Sequence, residues 1–167
     1  MIKLTLKKLI NLKVNTIIKS KYKLGAGAYF KVYDMGDFVI KIPISSNSTI
    51  IKNKYKRFYI CSVFLYMFNR LHNKIKNIIP EVHMGKDGFL IQRKVGGLTY
   101  DDLSVNKLKK VDKKILHLQE QVNDILLGVG EADANICNFR FNEQGIITSW
   151  FDPFIIYIDT DIDYMFN

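Results

Sequence analysis

Cysteine, histidine and long apolar runs are scarce in this chain. Only Cys61 and Cys137 occur, in unrelated contexts without metal-ligand spacing, which excludes a zinc site and points to a reduced, cytoplasmic protein. His72, His83 and His117 are scattered, and no Ser-His-Asp arrangement is present. No apolar run approaches the length of a membrane span. Lys7, Lys8 and Lys13 interrupt the N-terminal stretch that a signal peptide would need. The sequence has no internal repeat, low-complexity segment or disordered tract. One further absence is local: no Asp or Glu occurs between Phe38 and Pro80.

What is present suits a globular protein. The 167 residues are 48% hydrophobic, enough for one compact unit or two small lobes. The net charge of +9 is unevenly placed. Residues 1–80 carry sixteen Lys and Arg against two acids, and residues 81–167 carry nine against fourteen. A basic half attracts nucleic acid or an acidic partner. However, the chain is rich in Lys, Ile and Asn, as proteins from AT-rich genomes tend to be, and it has no recognisable base-reading motif. A nucleic-acid role is therefore the weakest of three readings, with any affinity weak, nonspecific and salt-sensitive.

The pattern of apolar residues predicts an α+β fold. Residues 1–20 fit an amphipathic helix or a strand. Tyr22–Leu24 and Lys31–Asp34 read as strands across a Gly-rich turn, and Phe38–Ile44 as a strand apolar on both faces. Asp34-Met35-Gly36-Asp37 is a tight turn. Residues 52 to about 74 read as a helix whose stripe includes Tyr55, Phe58, Tyr59, Val63, Phe64, Met67, Phe68 and Leu71. A hairpin follows over 80–93, and Val95-Gly96-Gly97 is a flexible joint. Leu108, Val111, Ile115, Leu118, Val122 and Ile125 mark a second long helix, with Gly128 as its stop. A last hairpin pairs Asn138–Phe141 with Ile146–Phe151.

Two sets of residues carry possible chemistry. The first is Gly25, Gly27 and Lys41. Glycines let a backbone approach phosphates closely, and Val32 follows Gly25 by seven, where it could cover a base. Lys41 lies in an apolar strand with Val39 on its own face. A buried ammonium needs an anion or a route by which its stem reaches solvent. The second set is Asp133, Asn138 and Asp152: an Asp, an Asn five residues on, and an Asp closing the next hairpin. Hard oxygens so arranged suit Mg²⁺, which takes one or two carboxylates plus substrate phosphates. Asp159, Asp161 and Asp163 form an alternating acidic tail, read as a solvated strand end.

In this order and spacing the two sets resemble the protein-kinase fold, over about residues 20–155, in the short form of bacteriophage-encoded kinase-like proteins. The resemblance implies an N-lobe over 1–94, an antiparallel sheet with one long helix, and a reduced helical C-lobe over 95–167 carrying a catalytic-loop hairpin. Within it Gly25, Gly27, Val32 and Lys41 bind ATP, with Gln92–Gly97 at the back of the site. Asn138 and Asp152 hold Mg²⁺, and Asp133 and Lys41 are catalytic.

The sequence departs from the family at several points. Phe30 replaces the third glycine, Glu131 stands where the family has His, and Pro153-Phe154 replaces Phe-Gly. The helix Glu that normally holds the strand lysine is missing, so Asp152 or the nucleotide must orient Lys41. Thirteen residues follow Phe154, too few for an activation segment or a peptide-docking platform. A partner or a second copy is therefore expected to build the acceptor site. The resemblance implies a phosphotransferase acting on a host macromolecule in the host cytoplasm. Its alternative is a catalytically poor kinase fold that inhibits a host system by binding protein.

Overall fold

The computed structural model describes residues 4–20, 22–27, 29–45, 49–75 and 78–157. The chain is α+β and divides into two compact units, Met1–Asn69 with Glu81–Lys94, and Arg70–Pro80 with Val95–Asn167.

The first unit is built on a five-stranded antiparallel sheet. Its strands are β1 (Lys23–Ala26), β2 (Phe30–Asp34), β3 (Phe38–Pro43), β4 (Val82–Gly85) and β5 (Phe89–Arg93), in the order β1-β2-β3-β5-β4. Two short helices precede the sheet, α1 (Leu6–Ile10) and α2 (Val14–Ile18), where the sequence left helix and strand open. Leu9, Val14 and Ile17 of these helices cluster with Tyr33, Ile40, Ile42, Phe89 and Ile91 from one sheet face.

The long helix α3 (Lys54–Lys74) begins where Asn53 Oδ1 accepts the backbone N–H groups of Tyr55 and Lys56. On it Phe64, Met67, Phe68 and Leu71 are buried, and Phe64 meets Phe30 edge-on with ring centroids 4.8 Å apart. The stripe is narrower than the sequence suggested, because Tyr55 and Tyr59 are exposed. Their hydroxyls make them as suited to water as to a core, and spacing alone does not reveal that.

Arg57 fixes the start of α3. It is buried, and its guanidinium donates to the carbonyls of Ile51, Lys52 and Asp87. The Asp87 carboxylate lies 3.6 Å from it and accepts the Val14 N–H at 2.8 Å. One arginine thus ties α3 to the β4–β5 turn, and the turn's acid ties both to α2.

In the second unit α4 (Val105–Leu126) buries Val111, Ile115, Leu118, Val122 and Leu126. It stops as expected at Gly128, with Leu127 already left-handed at φ 32°. Four strands follow: β6 (Gly130–Ala132), β7 (Phe139–Phe141), β8 (Ile147–Trp150) and β9 (Phe154–Ile156). They form two separate ladders, β7 with β8 and β6 with β9. Trp150 N donates to Ile78 O, which fastens the 70–80 segment to this unit.

At the end of β2 Asp34 accepts from Lys94 Nζ at 2.6 Å and from Gly36 N at 2.9 Å. The lysine contact, chiefly, holds the Asp34 carboxyl below its ordinary 3.8. A carboxyl lowered in the folded state stabilises fully above the unfolded value and loses that contribution as pH falls through the folded one. Asp34→Asn should therefore be less stable than wild type at pH 6, by under ~1 kcal/mol for so exposed a pair. Urea midpoints should show the gap closing as pH drops below 3.8.

Candidate functional site

Register explains why Gly25, Val32 and Lys41 belong together. In an antiparallel sheet, directly opposed residues project from the same face. Gly25 opposes Val32, Val32 opposes Lys41, Lys41 opposes Leu90, and Leu90 opposes Met84. One row thus crosses all five strands and carries three of the four residues expected at the nucleotide, Gly25, Val32 and Lys41; Gly27 lies beyond the end of β1. Gln92 shares this face and is buried, opposite Val39 and Val82.

Lys41 is 4% exposed, so its stem does not lie in open solvent. Its ammonium stands 5.7 Å from the centroid of the Phe68 ring on α3, within cation–π range. The glycine turn is an open hairpin in which Gly27 N donates to Phe30 O. A Cβ built on Gly25 or Gly27 would meet nothing within 4 Å.

The second set is brought together by two ladders meeting at one loop. In the β6–β9 ladder Ala132 opposes Phe154, and one step further Asp133 N donates to Pro153 O at 3.0 Å. In the β7–β8 ladder Phe139 opposes Trp150, and one step further Phe151 N donates to Asn138 O at 3.0 Å. Asp133 and Asn138 therefore both flank the short Phe151–Pro153 turn that contains Asp152. The Asn138 amide closes the gap: its Nδ2 donates to Asp152 O at 3.1 Å and lies 3.5 Å from Asp133 O.

The loop backbone has further supports. Trp150 is fully buried, and its indole N–H donates to Asp133 O at 3.0 Å. Asn123, near the end of α4, accepts the Ala132 N–H at 2.7 Å. Asp133 Oδ1 takes the Asn135 N–H, and Asn135 Oδ1 takes the Cys137 N–H. Arg140 donates to the carbonyls of Cys137 and Phe139, with its guanidinium 4.8 Å from the centroid of the Phe151 ring.

This bonding leaves specific atoms for chemistry. The Asn138 amide nitrogen is committed to carbonyls, so Oδ1 is its remaining acceptor. Asp133 Oδ1 is engaged with the backbone, which leaves Oδ2. Asp133, Asn138 and Asp152 are all half-buried. Among the described residues no group of three or more His, Cys, Asp or Glu side chains could hold a metal ion. The expected metal ligands, Asn138 Oδ1 and the Asp152 carboxylate, are a sparse donor set; Mg²⁺ takes one or two carboxylates and completes its shell with phosphates and waters.

Sequence reasoning missed β6, β9, Trp150 and Asn123. Phe154-Ile155-Ile156 was a visible β signal, but three residues are too few to weigh alone. Asp159, Asp161 and Asp163 lie outside the described residues. Among the described residues no helix is long and apolar enough to cross a membrane. No protein-family model matches the chain. No curated protein matches it either.

Gly130 sets the β6–β9 register from which Asp133 hangs. A Cβ there would fall 2.3 Å from Ile155 O, a backbone atom that cannot swing aside. Gly130→Ala should cost about 1–3 kcal/mol, as overpacking does, read as a lower urea midpoint.

Proposed function

We propose that the protein is a minimal kinase-like phosphotransferase, using ATP and Mg²⁺ and acting on a macromolecule, with a phage-encoded protein and a host target as the setting. The observation that carries this reading is the convergence of Asp133, Asn138 and Asp152 on one hydrogen-bonded loop. The row from Gly25 through Val32 to Lys41, across three strands, supports it, because it aligns the turn proposed for phosphates with the one buried lysine of its sheet.

In this reading the chain positions and neutralises charge, and the nucleotide carries the reactive group. Lys41 gives a positive charge to the phosphates in a low-dielectric setting, where it acts strongly. Asn138 Oδ1 and the Asp152 carboxylate hold the ion, which when bound offsets phosphate charge. Asp133 Oδ2 accepts the proton of the acceptor hydroxyl as its oxygen bonds to the γ-phosphorus and ADP departs. The Trp150 and Asn138 bonds to the Asp133 backbone fix that carboxylate at its post.

One observation favours the second reading, a catalytically poor fold that works by binding protein. The α3 side chain found beside the Lys41 ammonium is the Phe68 ring, where the family would offer a carboxylate. A ring holds an ammonium less firmly and less directionally than a carboxylate does.

Paired substitutions separate the two readings. Asp152→Asn should weaken Mg²⁺-dependent ATP binding, because a charged ligand is lost. Asp133→Asn should leave ATP binding nearly intact and lower phosphotransfer, autophosphorylation included, by about 10²–10⁴-fold. ATP titration and radiolabel transfer measure the two effects. Full biological activity in both variants would remove the enzyme reading and leave the binding one.

A further inference from the structure

A second concave surface lies on the first unit, away from the Gly25–Lys41 row. Lys31 marks the separation: it neighbours Val32 on β2 and so projects from the opposite sheet face. The cavity has a volume of about 960 Å³. That is the upper end of the roughly 300–1,000 Å³ of small-molecule pockets, and it suits a short segment of chain.

Its floor is aliphatic, made by Val14 and Ile18 of α2 with Ile50 and Ile51 from the segment entering α3. Its rim is cationic: Lys13, Lys31, Lys52 and Lys54 stand around it. The base is already committed, since Arg57 is spent on three backbone carbonyls. Asp87, the only carboxylate among the described lining residues, is occupied by Val14 N, Arg57 and Lys54. Lys13, Lys31 and Lys52 have no ion-pair partner among the described residues. Three like charges around one concave wall raise the local potential and favour an anion there.

The lining also tells which anion. Among its described residues there is no aromatic side chain, and the one arginine is not available. Single-stranded nucleic acid is held by aromatic stacking and arginine planes, neither of which is on offer. Inorganic phosphate would leave the aliphatic floor uncovered. A peptide with carboxylates for the lysines and an apolar side chain for the floor satisfies both parts. We propose that this groove binds an acidic segment of a partner protein, anchored by an apolar residue. The groove is complete within the first unit, so the inference stands whether or not the chain transfers phosphate.

Fluorescence anisotropy with a fluorescein-labelled peptide of alternating Glu and Leu tests it, without nucleotide. Binding should be saturable and weaken with salt. Lys13→Glu with Lys52→Glu should lower affinity by about tenfold or more, as reversal of contacting charges does. Both lysines are exposed, so the fold should persist. Lys13→Gln with Lys52→Gln should give a smaller loss. Lys113→Glu with Lys114→Glu, an equal charge change on the exposed side of α4, should leave affinity within about twofold. A Glu/Ser peptide of the same length should bind less well. Equal losses in the two reversal pairs, a Glu/Ser peptide as good as Glu/Leu, or oligo-dT binding as tightly would each overturn the proposal.

Discussion

The candidate site depends on how two backbone carbonyls, those of Asp133 and Asp152, are satisfied. Neither carbonyl lies inside a strand. Left unbonded in a half-buried loop, each would cost about 1–3 kcal/mol. Trp150 serves Asp133 from the core, and Asn138 reaches across to Asp152. Because both donors sit on the β7–β8 hairpin or its edge, the hairpin clamps the two segments that run into β6 and β9. Asp133 and Asp152 are brought to one loop because their backbones are held there.

The first unit solves the opposite problem, an excess of positive charge. Arg57 is buried at the cost of three backbone acceptors and a carboxylate. Lys41 is buried in the row that crosses the sheet. Among the described residues the unit's other lysines lie at the rim of the groove or are at least partly exposed. Since residues 38–80 contain no acid, Arg57 draws on Asp87, in the β4–β5 turn. The same shortage leaves Lys13, Lys31 and Lys52 of the groove without an ion-pair partner among the described residues, which makes the surface receptive to an acid from outside. The basic bias of this half therefore has a structural consequence even if it began as codon usage.

Much of this was legible in the sequence where the signal was periodic or conformational. The α4 pattern from Leu108 to Ile125 gave Val111, Ile115, Leu118 and Val122 of its buried face, though Leu126 is buried in the last turn where Ile125 is half-exposed, and Gly128 gave its end. The spacing of Asp133, Asn138 and Asp152 was visible, but the reason for their convergence was not. That reason is the β6–β9 ladder, whose strands are three residues each and separated by the whole β7–β8 hairpin. Pairing at that distance leaves no local trace. The tyrosines of α3 failed for another reason, since an aromatic ring with a hydroxyl counts as apolar in a periodicity and yet tolerates water. Residues 1–20 stayed ambiguous because two five-residue helices are too short to establish a period.

Gly25 and Gly27 extend the argument beyond the fold. At most glycines of this chain the structure itself supplies the reason. Gly36, Gly88 and Gly145 have positive φ, and Gly130 has a carbonyl where a Cβ would be. At Gly25 and Gly27 neither reason applies: φ lies outside the left-handed region and the surrounding space is open. Alanine would fit both places, and glycine in a strand or its hairpin costs about 0.5–1 kcal/mol by comparison. Gly96 is as open and has no left-handed φ either, so open glycines are not confined to this turn. On the proposal above, a nucleotide would use the room at Gly25 and Gly27, because phosphates held by backbone N–H groups need the space that a Cβ would take. Gly25 opposes Val32, and Val32 opposes Lys41, so the open space lies at the head of the same row that carries the buried charge at its middle strand.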